Sequence, residues 1–225
     1  ELGRVYLVTR NSKVTGMQAL STALLERLLD VVTVFIMLFL VLPLIPKHGL
    51  VTSMSYLIVG LVIVLIISLF VIARKRKTAA KVIGLMTQRL GTRIDGVIND
   101  AFDKFFESID IVRGRRVILA GIWSIIVWML SGLATYYLLI GFVPELQLYD
   151  AIFVTSLLAL GIALPSVPAS VGLWEASAVA ALAVLGVNKE IALAFAIVMH
   201  VTVFVKMSIL GIIGLHLEGE SFSDI

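Results

Sequence analysis

Long apolar stretches separated by short polar ones dominate this chain. Four of them are long enough to cross a bilayer as helices, since a span needs about 20 apolar residues. They cover residues 19–42, 50–73, 117–142 and 191–216. Two shorter apolar segments, 151–164 and 173–187, lie between the third and fourth stretches. The pattern predicts an all-α, polytopic membrane helix bundle with a broken element before its last span.

The segment 74–116 differs from these stretches because charged residues separate its apolar ones. It holds eleven Lys and Arg against five Asp and Glu, a local net charge of +6. Apolar residues at Val82, Met86, Leu90 and Ile94 have helical spacing and indicate a cytoplasmic amphipathic helix on the inner leaflet. A solvated connector is the alternative. Basic loops favour the cytoplasmic side of a membrane, which accounts for this charge better than nucleic-acid binding.

Prolines and a glycine interrupt the apolar sequence between the two short segments. Pro165 and Pro168 each remove a backbone donor, and Gly172 permits a tight turn. We expect residues 151–187 to form a re-entrant, proline-broken helix pair; a single kinked span is the alternative. The second half-helix would begin near Ser170 or Gly172, within the membrane. Unpaired N–H groups at such a terminus favour an anion, such as a lipid phosphate.

Charge is concentrated in the first span, at Glu26, Arg27 and Asp30. An ionisable side chain inside a membrane costs about 3 kcal/mol or more unless it is paired or faces water, so this cluster indicates a functional site. Glu26 and Asp30 are four residues apart, and Arg27 and Asp30 are three apart, so helical geometry allows all three to interact. Arg27 therefore either binds an anionic substrate or is neutralised by the two acids.

Three further ionisable residues lie in the apolar C-terminal part of the chain, at Glu175, His200 and Lys206. Glu175 follows the break and either pairs with Arg27 or Lys206, takes part in proton coupling, or complements the dipole of its own helix. Lys206 either contacts substrate or extends its side chain to the interface. We interpret His200 as a packed, hydrogen-bonded histidine in preference to a proton relay.

Composition supports a membrane protein and limits its chemistry. The chain has 225 residues, is 60% hydrophobic and contains no cysteine. Its mean hydropathy is +1.08, beyond what an ordinary soluble domain needs. No phosphate-binding loop, nucleophile motif or metal-ligand spacing is present, so we expect no catalytic residue, metal or other cofactor. We expect one integral membrane domain over residues 1–225 that starts part-way through a longer gene product or was processed, with a polar tail at 217–225.

Three motifs, taken in order, resemble the lysylphosphatidylglycerol synthase transmembrane region, a flippase-like domain family. They are Glu1-Leu-Gly-Arg4, Ala23-Leu-Leu-Glu-Arg-Leu-Leu-Asp30 and Leu164-Pro-Ser-Val-Pro-Ala-Ser-Val-Gly-Leu-Trp-Glu175. The chain departs from the family pattern at Ala169-Ser-Val171, where the family usually has more glycine. The family's soluble aminoacyl-transferring domain has no counterpart here, so the resemblance does not imply aminoacylation.

The buried charges, the broken segment and the lack of a phosphate-binding loop lead us to expect ATP-independent binding and transbilayer movement of an anionic phospholipid or lipid-linked substrate. The resemblance implies a role in handling phospholipids or polyisoprenyl-linked lipids. It also implies a multi-pass protein of the prokaryotic plasma membrane, with membrane lipids as its partners. The residues expected to bind substrate combine the family pattern with the polar groups near the break. They are Arg4, Glu26, Arg27, Asp30, Pro165, Ser166, Pro168, Ser170, Gly172, Glu175 and Lys206.

Two other functions fit the same sequence. The chain could be a scaffold or subunit for a glycosyltransferase or another lipid-modifying enzyme, or an intramembrane lipid-modifying enzyme in its own right. Co-purification with a soluble enzyme would favour the first, and a new lipid species in cells would favour the second. We expect no nucleic-acid partner, and the sequence leaves the oligomeric state open.

Overall fold

In a computed structural model of the chain, the structure describes residues 9, 16–45, 60, 64, 115–162 and 170–217. These residues form helices and turns, with no strand among them. The helices are α1 (Gly16–Val41, followed by a 3-10 turn at Leu42–Leu44), α2 (Arg115–Leu139), α3 (Leu148–Ile162), α4 (Leu173–Val184) and α5 (Lys189–Leu217).

Three of these helices contain segments long and apolar enough to cross a membrane. The segments are Leu25–Leu44 in α1 and the turn that follows it, Ile118–Leu139 in α2, and Lys189–Gly214 in α5. They correspond to the first, third and fourth spans that the sequence predicts. The predicted span at 50–73, the amphipathic segment at 74–114 and the tail at 218–225 lie outside the described residues, apart from positions 60 and 64.

The chain divides into two compact units. The first comprises Glu1–Val32 with Tyr56–Ile125, and the second comprises Thr33–Ser55 with Ile126–Ile225. The second unit holds the whole of α3, α4 and α5, and its helix contacts position the residues that follow the predicted break.

Helix α3 is only 15 residues long, and a continuous run of its residues is buried on every side. Every residue from Asp150 to Ser156 is buried. The Thr155 hydroxyl lies 3.0 Å from the Thr135 hydroxyl of α2, in a buried hydrogen bond between the two helices. A helix segment that is buried all round belongs inside a bundle, so this run of α3 is part of the packed interior of the second unit.

Helices α3 and α4 pack side by side through small residues. A Cβ added at Gly161, near the end of α3, would lie 2.7 Å from the Ser177 Cβ of α4 and closer still to the Ser177 hydroxyl. The last turn of α3 therefore lies against the start of α4, at a distance that only glycine allows. The two helices have 15 and 12 residues, which is too short for either to cross a bilayer by itself.

A tight turn joins α4 to α5. Gly186 has a φ of 77°, and the N–H of Val187 donates to the Leu182 carbonyl at 3.1 Å. This is the usual glycine-terminated helix end, in which a left-handed residue satisfies the last carbonyls. Asn188 then begins α5 by accepting the Glu190 N–H at 2.8 Å. Because the connection is so short, α4 packs against α5, and residues near the start of α4 face the middle of α5.

Candidate functional site

The charged residues of the first span lie at its N-terminal end. Glu26 and Arg27 are exposed on α1, within the first turn of the segment that can span a membrane. Asp30, one turn further along, is partly buried and accepts a hydrogen bond from the Ser124 hydroxyl of α2 at 2.7 Å. The serine, which is 8% exposed, fixes this carboxylate between two helices of the first unit.

The turn that precedes α4 has two residues in the left-handed region. Ser170 has a φ of 54° and Gly172 a φ of 84°. Glycine adopts this conformation freely, whereas a residue with a Cβ is strained there by about 1 kcal/mol or more. The family pattern that the chain resembles has more glycine in this stretch. Ser170 therefore occupies a position where a glycine would adopt the same backbone conformation without strain.

Glu175 closes this turn onto its own helix. One of its carboxylate oxygens, Oε2, accepts the Gly172 N–H at 2.7 Å. Gly172 is the N-cap of α4 and Glu175 the third residue of the helix, so the carboxylate occupies the positive end of the helix dipole. The sequence predicts that the unpaired N–H groups near Gly172 bind a lipid phosphate, but the Gly172 N–H already donates to Glu175.

The other carboxylate oxygen of Glu175 reaches a second helix. Oε1 lies 2.6 Å from Nδ1 of His200, near the middle of α5. The His200 ring stacks on Trp174, with centroids 4.8 Å apart and planes inclined by 12°. We call Gly172, Trp174, Glu175 and His200 the Glu175 cluster. It connects α5 to the turn before α4 through one carboxylate.

The Glu175 cluster is screened from its surroundings but still accessible. The side chains of His200 and Glu175 are 13% and 21% exposed. Trp174 is 9% exposed, and its Nε1 has no hydrogen-bond partner among the described residues. A short carboxylate–imidazole contact in these surroundings can take up or release a proton, and it can bind a polar headgroup that displaces one partner. Within the described ranges, no group of three or more His, Asp or Glu could hold a metal ion.

The sequence located Glu175 but not its partner. The sequence predicted that Glu175 pairs with Arg27 or Lys206, takes part in proton coupling, or complements the dipole of its own helix. The observed side-chain partner is His200, and the predicted role at the start of its own helix is confirmed. A hydrogen-bonded His200 was the preferred interpretation from the sequence, and the structure confirms the hydrogen bond. The 25-residue separation between the two residues has no local periodicity that would pair them. The sequence signal that could have paired them is the short turn between α4 and α5, marked by Gly186 and Asn188. Such a turn makes the two helices pack side by side, so that residues on either side of it can meet.

The remaining predicted site residues are distributed along the chain. Lys206 is exposed on α5, where it lines a shallow groove together with Val201, Thr202 and Val205. Ser170 and Gly172 lie in the turn before α4. The other four predicted residues lie outside the described residues; they are Arg4, Pro165, Ser166 and Pro168.

A comparison with protein families decides the class of this membrane protein. The family model described as "Lysylphosphatidylglycerol synthase TM region" matches residues 1–211. The chain belongs to this family. The match covers most of the chain, including all the described residues up to the last turns of α5, and it confirms the resemblance seen in the motifs. Searches of curated proteins and of solved structures found no match.

Family membership and the three apolar helices together make this chain a membrane protein of the lysylphosphatidylglycerol synthase type. That family is compatible with a role that involves membrane lipids. The residues of the Glu175 cluster all fall within the matched range, so the cluster is part of the family domain in this chain.

Proposed function

We propose that this protein binds an anionic phospholipid or lipid-linked substrate and moves it between the leaflets of a prokaryotic plasma membrane without ATP. The observation that carries this proposal is the Glu175–His200 contact of 2.6 Å, held between two apolar helices of a lipid-related membrane family. A titratable pair inside apolar helices is costly, and it is retained where a polar group must cross or bind there.

The arrangement of α3 and α4 supports a re-entrant helix pair. Each helix is too short to span a bilayer, and the two pack side by side at Gly161 and Ser177 instead of continuing end to end. The run from Asp150 to Ser156 in α3 is buried throughout. A re-entrant pair of this kind brings irregular backbone to membrane depth, where it is tolerated when it lines a polar cavity.

Within this proposal, each group has a definite role. The headgroup phosphate contacts the turn at Ser170–Gly172 and displaces the Glu175 carboxylate from the Gly172 N–H. His200 then carries the displaced carboxylate. Arg27 and Arg4 attract anionic headgroups from the cytoplasmic leaflet, and Asp30, fixed by Ser124, holds the polar face of α1 in place.

Reconstitution into vesicles tests the function itself. The purified protein is inserted into vesicles that contain a trace of fluorescent phosphatidylglycerol or phosphatidylcholine, and a membrane-impermeant reductant then reports how much label reaches the outer leaflet. We expect faster movement of phosphatidylglycerol than in protein-free vesicles, and slower movement for Arg27→Ala and Glu175→Ala. Asp150→Asn is the matched control, because this carboxylate also caps a helix but lies outside the proposed site.

Equal rates with and without protein, for both labelled lipids, would contradict the proposal. If a soluble enzyme co-purified with the protein at the same time, the result would favour the scaffold or subunit role. Equal rates for the wild type and both site variants, with movement still above the protein-free level, would reject these residues as the site.

A further inference from the structure

The Glu175 cluster is built as a chain of contacts with one titratable imidazole in its middle. Trp174 stacks on the ring of His200, His200 contacts Oε1 of Glu175, and Oε2 of Glu175 accepts the Gly172 N–H. Every link lies within 5 Å by ring centroid or atom distance. The state of the imidazole is therefore transmitted to the backbone turn ahead of α4 through a single carboxylate.

Among the described residues of α3, α4 and α5, few other charged groups lie near this carboxylate. Glu175 is the only ionisable residue of α4. Helix α3, which packs against α4, has Tyr149 and Asp150 in its first turn, far along the helix from its contact at Gly161. On α5, Lys206 lies six positions beyond His200 and is exposed. Residues 163–169, which precede the turn, contain no ionisable side chain in the sequence.

We propose that Glu175 and His200 form a proton-binding latch that holds the turn at Ser170–Gly172 against α4 and α5. When the imidazole carries a proton, it binds the carboxylate as an ion pair and the turn is held closed. When it loses the proton, the imidazole N–H can still donate to the carboxylate, but the attraction between two opposite charges is lost and Glu175 moves more freely. Because the ion pair adds this Coulomb attraction to the hydrogen bond, the turn is held more tightly at acidic pH.

The backbone strain at Ser170 favours a change in the turn once the contacts of Glu175 weaken. Ser170 adopts its left-handed backbone, with a φ of 54°, only while the surrounding contacts impose it. Loosening Glu175 removes the contact to Gly172 and lets the turn relax. The consequence for lipid movement rests on the proposed function, whereas the latch itself does not depend on which lipid is moved.

Trp174 reports the protonation of His200 directly, because a protonated imidazole in contact with an indole quenches its fluorescence far more than a neutral one. The chain has three tryptophans, so replacing Trp123 and Trp128 with Phe leaves Trp174 as the only tryptophan, which is excited selectively at wavelengths where tyrosine does not absorb. In this background, emission is measured between pH 5 and pH 9 in lipid nanodiscs. We expect one sigmoidal step with lower emission at acidic pH.

Three variants decide the interpretation of that step. His200→Gln should abolish it, Glu175→Gln should move its midpoint because the imidazolium loses its counter-charge, and Asp150→Asn should leave it unchanged. Absence of a step in this pH range, or a midpoint that Glu175→Gln does not move, would overturn the proposal.

Hydrogen exchange of the peptide covering residues 170–176 provides a second measurement, which keeps the proposal falsifiable if the tryptophan variants fold poorly. The wild type should exchange more slowly than His200→Gln at pH 6. The exchange rate of His200→Gln divided by that of the wild type should therefore exceed one at pH 6 and fall towards one at pH 8.5. A ratio that is the same at both pH values would overturn the latch. Neither experiment measures lipid movement, so a failure of the latch is distinguishable from a failure of the proposed function.

Discussion

In two helices of the second unit, a carboxylate at the third helical position accepts an N–H from the residue before the helix. The two carboxylates differ in what else they contact. In α3, Asp150 is the third helical residue, and its carboxylate accepts the N–H of Gln147 at 2.8 Å. In α4, Glu175 is the third helical residue and accepts the N–H of Gly172 at 2.7 Å. Asp150 is 5% exposed and its carboxylate has no side-chain partner among the described residues, whereas Glu175 also contacts His200 on another helix.

The difference separates a structural cap from a candidate functional group. Either carboxylate satisfies one of the unpaired donors at a helix start. Glutamate has one more methylene than aspartate, and that length lets the second oxygen leave the helix and meet a titratable partner. The comparison teaches that an acid in the first turn of an apolar helix is a functional candidate when it has a side-chain partner on another helix.

The largest expected effect comes from separating the two helices that carry these caps. Gly161→Ala would place a Cβ 2.7 Å from the Ser177 Cβ, so α3 and α4 must move apart. We expect the free energy of unfolding to fall by about 3 kcal/mol, as overpacking does. Unfolding by SDS titration in mixed micelles measures this change.

Two variants control that prediction. Gly211→Ala, where an added Cβ meets nothing within 4 Å, should change stability little. Ser177→Gly, combined with Gly161→Ala, should restore much of the loss by removing the atoms that clash. A loss in Gly161→Ala that Ser177→Gly fails to reduce would show that the contact between α3 and α4 is wrongly placed.

The next effect tests whether Glu175 and His200 are coupled while Asp150 and His200 are not. A double-mutant cycle of Glu175→Gln and His200→Gln should give a coupling energy of about 2 kcal/mol in the free energy of unfolding. The matched cycle of Asp150→Asn and His200→Gln should be additive to within about 0.4 kcal/mol. Equal coupling energies in the two cycles would remove the distinction between the two carboxylates.

Substitutions in the turn before α4 should change the free energy of unfolding by smaller amounts, with opposite signs at two positions. Gly172→Ala should lower the free energy of unfolding by about 1 kcal/mol, because an L side chain is strained at a φ of 84°. Ser170→Gly should raise it by a few tenths of a kcal/mol, roughly, since relief of strain exceeds the added chain entropy. Thermal unfolding of both variants in one detergent checks the signs, and destabilisation by Ser170→Gly would contradict the strain at that position.

The smallest effect concerns the pH response of Asp150. Burial raises the pKa of the Asp150 carboxyl, and the Gln147 N–H offsets this only in part. Because the folded pKa is raised, the stabilising contribution is complete below the ordinary value of about 3.9 and is lost as pH rises through the folded value. The stability of Asp150→Asn relative to wild type should therefore increase as pH rises above about 4. A decrease over that range would contradict this account.

Hydrophobic pattern alone was enough to predict three of the membrane helices and the two short helices between the last two spans. Their ends were harder to place, because the pattern placed the start of α3 at residue 151, whereas the helix begins at Leu148. Asp150 supplies the reason, since its carboxylate caps a helix start three residues before the continuous apolar run. The predictions at 50–73 and 74–114 lie outside the described residues.

Local sequence identified Glu175 but could not identify the Glu175 cluster. The acid in the first turn after a break is visible in the sequence, and so is its role towards its own helix. The contact with His200 depends on how α4 and α5 pack, which follows from the Schellman turn at Gly186 and from the register of two nearly uniform apolar helices. Register between such helices is fixed by close side-chain packing, such as the Trp174 stack, and not by any periodicity of polar residues.

The most direct test of the central claim is the rate of lipid movement by Glu175→Gln and Asp150→Asn, measured side by side in vesicles with equal amounts of folded protein. Either change removes one carboxylate charge and keeps an oxygen that can accept the N-cap N–H. We expect Glu175→Gln to slow phosphatidylglycerol movement about tenfold, as loss of a charge-assisted hydrogen bond of about 1.5 kcal/mol would, and Asp150→Asn to match the wild type. Equal rates for the two variants would contradict the claim that Glu175 is functional and Asp150 structural.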